Sequence, residues 1–445
     1  MNGFPGKKRG PRGRLALALA AALGGAFAAP SDIAASVQAV SNCDDSGSGS
    51  LRDAVAAAAS GDTIDLGGLS CSRITLTSGA IVVAQDSLAL VGPGADALAI
   101  DGNSGDRVFY HTGANTLGLT GLTIANGRFE GDTHVYGGCI ASKGHVVLSL
   151  SVVSGCMLVG SETSLMARGG AVYTQGNLVL VSSVMSGNTV DGSGSQISNS
   201  KGGAGVVRGN LTMKYSSVDG NAASTIAGHN SGCGAFQVYG SGYILASTIS
   251  NNHALFTGAI GNLDGGVGDT LVIRDSTISG NRAIYTGAIY TQLPTEITNS
   301  TIAFNTSSIH GALYSQLDPI HLQSTIIAAN AHAGASQADD LDGTDATLVT
   351  GANNLIGSST VPVPADTISA CPKLRALDDN GGPTRTHALA DTSIAIDAGN
   401  NDEGHDTDQR GEPRVIGAAA DIGAYEWNAP VGFGFHSGFE AICDS

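Results

Sequence analysis

One short pattern recurs along the chain from about residue 138 to residue 330: a Gly-Ala-apolar unit, a gap, and then Ser-Thr-Ile-Ser-Gly-Asn or a close variant. The residues that close successive repeats lie 32, 33, 31, 29, 24 and 25 positions apart. A motif repeated at this period is typical of a solenoid, in which each repeat is one unit stacked on the next. The pattern therefore predicts one elongated body built from coils. The repeats open at Gly138, Gly170, Gly203, Gly234, Gly258, Gly287 and Gly311, and they close at Cys156, Asn188, Asn221, Asn252, Asn281, Asn305 and Asn330.

A representative repeat, from Gly287 to Asn305, contains short runs of alternating apolar residues that are separated by turn residues. Three strands of four or five residues with their turns need about 22–25 residues, which matches the shorter spacings. No stretch between repeats has the ten or more helix-forming residues that an alternating strand-and-helix fold needs. We therefore predict an all-β fold, a right-handed parallel β-helix with its repeats over residues 67–335, because parallel crossovers are almost always right-handed. The longer spacings predict inserted loops, such as residues 190–200.

The recurring asparagine has a physical reason to be there. Asparagine tolerates the left-handed backbone conformation that a sharp turn needs. Its side-chain amide can also form a hydrogen-bonded ladder when it is stacked coil on coil. We therefore predict structural rather than catalytic roles for Asn188, Asn221, Asn252, Asn281, Asn305 and Asn330.

The two ends of the repeat array differ from its middle. Ser50 followed by Leu-Arg-Asp and a run of alanines predicts a short helix capped by Ser50, so residues 42–66 are interpreted as an N-terminal cap helix and first strand that cover the open end of the core. The repeat rhythm stops near residue 336. Residues 336–428 are interpreted as the last coils and a loop-rich C-terminal cap, and residues 429–445 as a separate Gly/Phe tail that could serve as a sorting signal.

Residues 1–28 have the pattern of an export signal. Five Lys and Arg residues between positions 7 and 14 precede the apolar run 15–23, and Ala26-Phe27-Ala28 follows as a cleavage site. No later stretch approaches about twenty uninterrupted apolar residues, so we expect no transmembrane span in the mature chain. Removing residues 1–28 changes the net charge from −17 to −22 (−17 − 5 = −22). An acidic surface of this kind repels nucleic acid.

Seven cysteines suit an oxidising compartment. Cys43 and Cys71 flank the first predicted helix and strand, and we regard them as a possible disulfide. Cys139 and Cys156 occupy repeat positions that elsewhere hold Ala and Asn, and they are a second possible pair. At least one thiol must be left over because the number of cysteines is odd.

The chain resembles the secreted bacterial β-helix proteins known as choice-of-anchor Q domain proteins. The segments that carry this resemblance are Ser50-Leu51-Arg52-Asp53-Ala54-Val55, Asp397-Ala398-Gly399-Asn400-Asn401, Asp408-Gln409-Arg410-Gly411 and Asp421-Ile422-Gly423-Ala424-Tyr425-Glu426. The Gly-Gly-Ala-Val and Ser-Gly-Asn units are also similar to repeats of the chlamydial polymorphic outer membrane proteins. The resemblance implies a shared β-helix body with a variable terminal sorting signal, and it implies no particular activity.

A catalytic site on such a scaffold would show as charged residues at the same repeat position in neighbouring coils, because adjacent coils lie about 4.8 Å apart. Counted back from the closing Asn, Lys214 and Arg274 share an offset of seven but lie two coils apart. Asp219, Asp275 and Glu296 have offsets of two, six and nine. No column of carboxylates results, so we assign no catalytic residues and favour a binding role over an enzyme.

Two further sets of charged residues have alternative interpretations. Asp339, Asp340, Asp342 and Asp345 offer oxygen ligands to a structural calcium ion, although a solvated acidic loop is the preferred interpretation. Arg410 and Asp421 lie in the two most specific family segments, and we predict that they pair to order the cap. No other cofactor is expected.

Aromatic residues recur in step with the repeats. Tyr173, Tyr290 and Tyr314 follow the Gly-Ala-apolar unit at a constant offset, and Phe236 is close to that position. Such a stripe could stack on sugar rings, but packing is the preferred interpretation. His253, His310 and His321 are scattered among turns and are predicted to be surface residues.

These observations predict an exported, monomeric β-helix that acts through its surface, at or outside the cell envelope, by adhesion to or binding of a polysaccharide, a host surface or the envelope. The alternatives are a polysaccharide lyase or glycoside hydrolase on the same fold, and a structural spacer without a specific ligand.

Overall fold

A computed structural model describes residues 35–131, 134–160, 166–192, 199–225, 230–262, 265–316, 318–332, 340–344 and 346–428. The predicted signal peptide (residues 1–28), the Gly/Phe tail (residues 429–445), Asp339 and Asp345 lie outside these residues. From Ser36 onward the described residues belong to one compact unit.

Three long parallel sheets form the body of the molecule, and the chain visits them in the order A, B, C once per coil. Every neighbouring pair of strands in these sheets is parallel, so the predicted all-β parallel β-helix is confirmed. The strands of sheet A are Val37–Ala39, Thr63–Asp65, Leu88–Val91, Thr116–Thr120, His145–Ser149, Leu178–Val181, Leu211–Lys214, Gly242–Leu245, Leu271–Arg274, Thr295–Thr298, Ile320–Gln323 and Val349–Ala352. The strands of sheet B are Arg73–Thr75, Ala99–Asp101, Thr123–Ala125, Val152–Ser154, Val184–Ser186, Ser217–Asp219, Thr248–Ser250, Thr277–Ser279, Thr301–Ala303, Ile326–Ala328 and Leu355–Ile356. The strands of sheet C are Ile81–Val83, Phe109–His111, Ile140–Ser142, Val172–Thr174, Gly205–Val207, Phe236–Val238, Ile260–Asn262, Ile289–Thr291, Leu313–Ser315 and Leu341–Gly343.

The core is filled by the inward-facing residues of the three sheets, in register from coil to coil. In sheet B, for example, Ile249, Ile278 and Ile302 are consecutive partners and are all fully buried. In sheet A, Leu271 and Ile273 are buried, whereas Val272 and Arg274, which alternate with them, face outward. This alternation is what the period of two in a β-strand requires.

The repeat asparagines form one continuous ladder inside the turn between sheets B and C. The Asn252 Nδ2 donates to Asn281 Oδ1 at 2.9 Å, and Asn281 repeats the contact with Asn305 at the same distance. Each backbone N–H also donates to the Oδ1 of the next coil, as from Asn281 to Asn305 at 3.0 Å. All six asparagines are buried, at 3% exposure or less. The ladder therefore satisfies amide groups that would otherwise be buried without partners.

The expectation that these asparagines hold the left-handed conformation is wrong. The positive φ belongs to the residue before the asparagine: Gly187, Gly220 and Gly280 have φ of 61°, 64° and 67°. In the other three repeats Asn251, Phe304 and Ala329 hold it, with φ of 56°, 59° and 60°. Glycine has no Cβ, so it takes up this conformation at the lowest cost. The asparagine is therefore selected for its side-chain hydrogen bonds.

A second ladder, of serines, lies in the turn between sheets A and B. The backbone N–H of Ser216 donates to Ser247 Oγ at 3.1 Å, and Ser247 N–H donates to Ser276 Oγ at 3.2 Å. The first Ser of the Ser-Thr-Ile-Ser-Gly-Asn motif thus has the same function as the final Asn, one turn earlier in the coil.

The N-terminal end is covered by the helix Leu51–Ala57, which is the only helix among the described residues. Ser50 caps it, since its side chain accepts from the Asp53 N–H, and Leu51, Ala54 and Val55 are buried against the first coil. The strand Val37–Ala39, which precedes the helix and pairs with Thr63–Asp65, was not predicted. No helix among the described residues is long and apolar enough to cross a membrane.

The longer repeat spacings correspond to an arm beside sheets B and C. Its first ladder contains Arg128–Gly131, Met157–Gly160, Thr189–Gly192 and Ala222–Thr225, and its second ladder contains His134–Tyr136, Met166–Arg168, Asn199–Lys201 and Asn230–Ser231. Buried Val135, Leu158 and Val190 help to form a small apolar core of its own. The following coils lack the arm: Thr306–Ser307 and Ala331–His332 form only a two-stranded pair.

The C-terminal segment has two parts. Ser359 and Ile368 pair with Leu341 and Leu355, so residues 357–370 extend the last coil and close that end. Residues 371–428, which include the antiparallel pair Leu374–Asp378 and Thr386–Leu389, pack against the outer face of sheet B instead of the open end. We call residues 371–428 the flank. Where it covers sheet B, the strands Thr277–Ser279 and Thr301–Ala303 are buried at every position.

Two disulfides connect described residues, Cys43–Cys71 and Cys139–Cys156. Cys371 is also disulfide-bonded. Cys156 takes the place of the first ladder asparagine, and its N–H donates to Asn188 Oδ1 at 3.0 Å. Cys233 is a free, buried thiol whose pKa burial raises to about 12, so it is unreactive.

Candidate functional site

An aromatic surface lies on the outer face of sheet C in the coils that follow the arm. We define it as Phe256, Tyr285, Tyr290, His310 and Tyr314. Tyr290 and Tyr314 are the central residues of consecutive strands, paired in register, and their ring centroids lie 5.5 Å apart at an angle of 27°. The His310 ring stacks on Tyr314 at 4.0 Å.

A second column runs beside these tyrosines, in the turn that leads into sheet C. The paired residues Thr257, Thr286 and His310 follow one another in three consecutive coils. The residues just before them are Phe256, Tyr285 and Ile309, which therefore also stack from coil to coil. The Phe256 ring lies 5.1 Å from Tyr285 and 5.0 Å from Tyr290, so the two columns form one continuous patch.

The patch is accessible and apolar at its outer edge. Ile284 and Ile309 are each 45% exposed, and Tyr285, Tyr314 and His310 are half-buried. Tyr290, in contrast, is 8% exposed and supports the rings around it. Contiguous exposed apolar surface on a monomer is a mark of an interaction site.

Polar groups border the aromatic surface. The Tyr290 hydroxyl donates to Gln316 Oε1 at 2.6 Å, and Gln292 donates to the same oxygen. His310 Nδ1 lies 2.8 Å from Asp342 Oδ2, and the Thr360 hydroxyl donates to Asp342 Oδ1. Burial alone would raise the pKa of Asp342, but these bonds from His310 and Thr360 lower it, so it remains a carboxylate at neutral pH. The border thus offers amide, imidazole and carboxylate groups to a ligand.

Only some of the aromatic residues that recur with the repeats form a continuous stripe in the structure. Tyr290 and Tyr314 are neighbours, but Tyr173 is separated from them by the coils of Val206, Gln237 and Gly261. Phe236 is fully buried and points into the core. His310 joins the site although it was interpreted as an isolated surface residue. Its pairing with Thr286 in the preceding coil is not visible from its own repeat alone.

A cluster of charged side chains forms where the flank meets sheets A and B, and we call it the junction cluster. Arg274 pairs with Glu296 of the next coil and lies 3.6 Å from Glu403 of the flank. His405 Nδ1 lies 2.7 Å from Asp275 Oδ2, and its Nε2 lies 3.4 Å from Glu403. The hydrogen bond to Asp275 raises the pKa of His405. This cluster does not appear as charged residues at one repeat position, because Glu403 and His405 come from a segment more than a hundred residues away.

A shallow depression on sheet A lies next to the junction cluster. It is lined by apolar and hydroxyl side chains together with Glu296 and His321. Glu296 and His321 are register partners in neighbouring strands. Two of the three carboxylates in the junction cluster, Glu296 and Glu403, pair with Arg274, and the third, Asp275, pairs with His405. The cluster is therefore well arranged to fasten the flank to the solenoid.

The predicted pairing of Arg410 with Asp421 is wrong. Arg410 Nε donates to Asp408 Oδ2 at 2.8 Å, and its Nη2 donates to the Glu426 carbonyl oxygen at 2.6 Å. The Asp421 carboxylate accepts instead from the backbone N–H groups of Asp397 and Trp427. Asp408 lies two residues from Arg410 in the same turn, so its carboxylate is closer to the guanidinium than that of Asp421.

The arginine that crosses the flank is Arg414, which sequence reasoning missed. It is 1% exposed, and its Nη2 donates to Glu426 Oε2 at 2.8 Å. Its Nη1 and Nη2 also donate to the carbonyl oxygens of Gly423 and Asp421. A buried guanidinium is stable only when it is paired and hydrogen-bonded in this way.

The two described members of the acidic calcium set have other partners. The Asp340 carboxylate ends the asparagine ladder and accepts from Asn330 and Ser358. Asp342 is engaged with His310 and Thr360. In the described ranges, no group of three or more His, Cys, Asp or Glu side chains is arranged to hold a metal ion.

No known protein family and no curated protein matches the sequence. Among solved structures, the crystal structure of pectate lyase Pel9A is similar to this chain, with a TM-score of 0.42 and 14% sequence identity. The match covers 88% of this chain and 96% of the Pel9A chain. A similarity at this level does not bear on activity.

Proposed function

We propose that the protein binds saccharides through the aromatic surface on sheet C. Aromatic rings with an apolar face and a polar border suit sugar rings, which have apolar C–H faces and hydroxyl edges. The observation that carries the proposal is the two-column stack of Phe256, Tyr285, Tyr290, Tyr314 and His310, bordered by Gln292, Gln316 and Asp342. An inert spacer has no need of an exposed aromatic patch in one short region.

The test is a glycan array, followed by calorimetry with the best ligand on the protein and its variants. We expect Tyr314→Ala and Tyr285→Ala to weaken binding at least tenfold each, because each removes a half-exposed ring of the surface. Loss of one stacking ring corresponds to about 1.4 kcal/mol or more in binding free energy.

The matched control is Tyr243→Ala, which removes a half-buried tyrosine from the outer face of sheet A. Its affinity is expected to equal that of the unmodified protein. An equal loss in all three variants, or no glycan bound by the unmodified protein, would show that the aromatic surface is not a saccharide site.

The junction cluster favours one second candidate, a glycan-cleaving enzyme. Two carboxylates, Glu296 and Glu403, converge on Arg274 beside the depression on sheet A, and paired carboxylates are the machinery of glycoside hydrolysis. Release of reducing ends or unsaturated products from any polysaccharide, abolished by Glu296→Gln but not by Tyr314→Ala, would establish this alternative over pure binding.

We further propose that the chain is an exported β-helix of the choice-of-anchor Q type, with repeats related to those of chlamydial polymorphic outer membrane proteins. Support comes from the way the resembling segments meet. Asp397 N–H donates to Asp421 Oδ1, Gln409 N–H to the Ala424 carbonyl, and Glu426 N–H to Asp408. Three segments that are separate in sequence thus form a single folded unit.

A further inference from the structure

A basic and aromatic cluster lies on the arm side of sheet C, apart from the aromatic surface. Tyr136, Arg168 and Lys201 are consecutive register partners in the second arm ladder. Their side chains therefore project from the same side of that ladder. Arg208 follows the neighbouring sheet C strand and is exposed.

Aromatic rings connect these cations. The Tyr136 ring stacks on Tyr173 at 4.4 Å, and the Arg208 guanidinium lies over the Tyr239 ring at 4.1 Å. Arg168, Arg208, Tyr136 and Tyr239 all lie near enough to Tyr173 to act on the titration of its hydroxyl, whose pKa is raised above all by burial. These contacts, with the register pairing of Lys201 and Arg168, place the six side chains in one region on the arm side of sheet C.

Among the described residues, no carboxylate forms an ion pair with Arg168, Lys201 or Arg208. The same is true of Arg107, Arg282, Arg375, Lys143, Lys214 and Lys373, whereas the other seven described arginines each form one. The Arg168 Nε is buried and has no hydrogen-bond partner, as is also true of the Nε of Arg107, Arg274 and Arg414. The absence of a nearby counter-charge, and not this atom, therefore distinguishes the cluster.

The composition of the chain makes this grouping unusual. The sequence contains 38 acidic and 21 basic residues, so carboxylates are plentiful. Like charges directly opposite each other on a ladder, as Arg168 and Lys201 are, destabilise the sheet. Three cations gathered without a counter-charge therefore indicate a surface that is arranged for an external anion.

We infer that this cluster binds an acidic saccharide, with the anionic group held by Arg168, Lys201 and Arg208 and the sugar rings held against Tyr136 and Tyr239. A planar guanidinium recognises a carboxylate through two parallel hydrogen bonds, and the adjoining rings supply the apolar contact that a simple phosphate would not need. This inference extends the proposed saccharide binding to a charged class of ligand at a second surface.

The test is calorimetry with a uronic-acid oligosaccharide and a neutral oligosaccharide of equal length, at low and at physiological salt. We expect the uronate to bind more weakly as salt rises. The double variant Lys201→Gln/Arg208→Gln is expected to lose at least tenfold in uronate affinity and none in neutral-glycan affinity. Lys373→Gln, which removes an exposed cation on the flank, is the matched control and is expected to change neither affinity.

The outcomes separate the two proposals. Uronate binding that survives the double variant, or that is absent from the unmodified protein, overturns the inference, and neutral-glycan binding lost in Tyr314→Ala still supports the aromatic surface. Binding of inorganic polyphosphate as tight as that of the uronate would show a general anion patch and overturn the assignment to saccharide. If Tyr314→Ala leaves all binding intact while the double variant abolishes uronate binding, only the aromatic surface fails.

Discussion

At the scale of single residues, Asp340 shows how one carboxylate can complete a repeated structure. Every asparagine in the ladder needs an acceptor from the next coil, and the last one, Asn330, has no further asparagine. The Asp340 Oδ1 accepts from the Asn330 N–H and Nδ2 at 3.0 and 2.8 Å, and its Oδ2 accepts from Ser358. Asp340, which the sequence suggested as a calcium ligand, therefore ends the asparagine ladder.

Asp340 makes the stability of the protein depend on pH. Burial raises its pKa to about 6, above the value of an exposed carboxyl, so the folded state holds the proton more tightly than the unfolded state. The resulting stabilisation is fully present below about pH 3.8 and is lost as pH rises through about 6, a change of about 2–3 kcal/mol at most.

We expect Asp340→Asn to remove this part of the pH dependence, because an amide keeps the acceptor for Asn330 and carries no charge. The measurement is the urea unfolding midpoint at several values between pH 4 and 8, compared with that of the unmodified protein. Asp342→Asn is the control with the opposite sign, because the lowered pKa of Asp342 stabilises at high pH. A difference between Asp340→Asn and the unmodified protein that does not change with pH would contradict this account.

At the scale of elements, Gln409 is one of the buried side chains that hold the flank on sheet B. This side chain is fully buried, and its Oε1 accepts from the Thr277 hydroxyl at 2.6 Å. Its Nε2 donates to the hydroxyls of Thr248 and Thr384 at 2.9 and 2.8 Å. One amide therefore connects two coils of the solenoid with the flank hairpin.

We expect Gln409→Ala to loosen the flank without unfolding the solenoid. The substitution removes the hydrogen bonds of the amide to the hydroxyls of Thr277, Thr248 and Thr384, at about 1 kcal/mol each, for a total of about 3 kcal/mol. Thr277 is left without a partner, whereas Thr248 and Thr384 still donate to main-chain carbonyl oxygens. Hydrogen exchange of the amides in Thr386–Leu389 is then expected to accelerate about 100-fold, while exchange in the sheet A strands stays unchanged.

Arg385→Gln is the matched control from the same hairpin. Arg385 pairs with Asp219, but both side chains are more than one-third exposed, so the pair contributes little. Equal acceleration in both variants would mean that the flank is held by something other than Gln409.

At the scale of the whole molecule, the disulfides connect the fold with the proposed export. Cys43–Cys71 lies at the N-terminal end of the solenoid, and Cys139–Cys156 lies where the asparagine ladder begins. Disulfides form and persist in oxidising compartments and are rare in the cytosol. Their state in cells therefore reports where the chain has folded.

We expect the full chain, expressed in a bacterium, to appear outside the cytoplasm with both disulfides formed, and a chain without residues 1–28 to stay inside with Cys43, Cys71, Cys139 and Cys156 reduced. Thiol alkylation and mass spectrometry of each cell fraction measure this directly. Removal of residues 429–445 serves as a second comparison: equal amounts in the medium with and without them would show that the tail is no anchor. Oxidised protein from the cytoplasmic fraction of the shortened chain would count against the export proposal.

The sequence by itself determined the solenoid, because the repeat places Gly-Ala entries, alternating apolar strands and Ser and Asn turn positions at the same offsets in each coil. Local rules of this kind depend only on residues close in the chain, so they are visible before folding. The cap helix after Ser50 was predictable for the same reason, because its capping residue and its run of alanines are adjacent in the chain. The left-handed position, in contrast, was assigned one residue too late. In three repeats a glycine precedes the asparagine, and in the others Asn251, Phe304 and Ala329 hold the positive φ, so residue type alone does not mark the position.

Only the tertiary structure decided where the non-repeating parts lie and what they bring together. Arg274 meets Glu403, Asp275 meets His405, and Gln409 meets Thr277 because the flank returns along sheet B, and no sequence offset encodes that return. The same holds for His310 beside Tyr314 and for Tyr136 beside Tyr173. The period of a repeat specifies which residues stack within a column, whereas side-by-side contacts between columns depend on packing and on the path of the inserted segments. The candidate binding surfaces lie at those contacts.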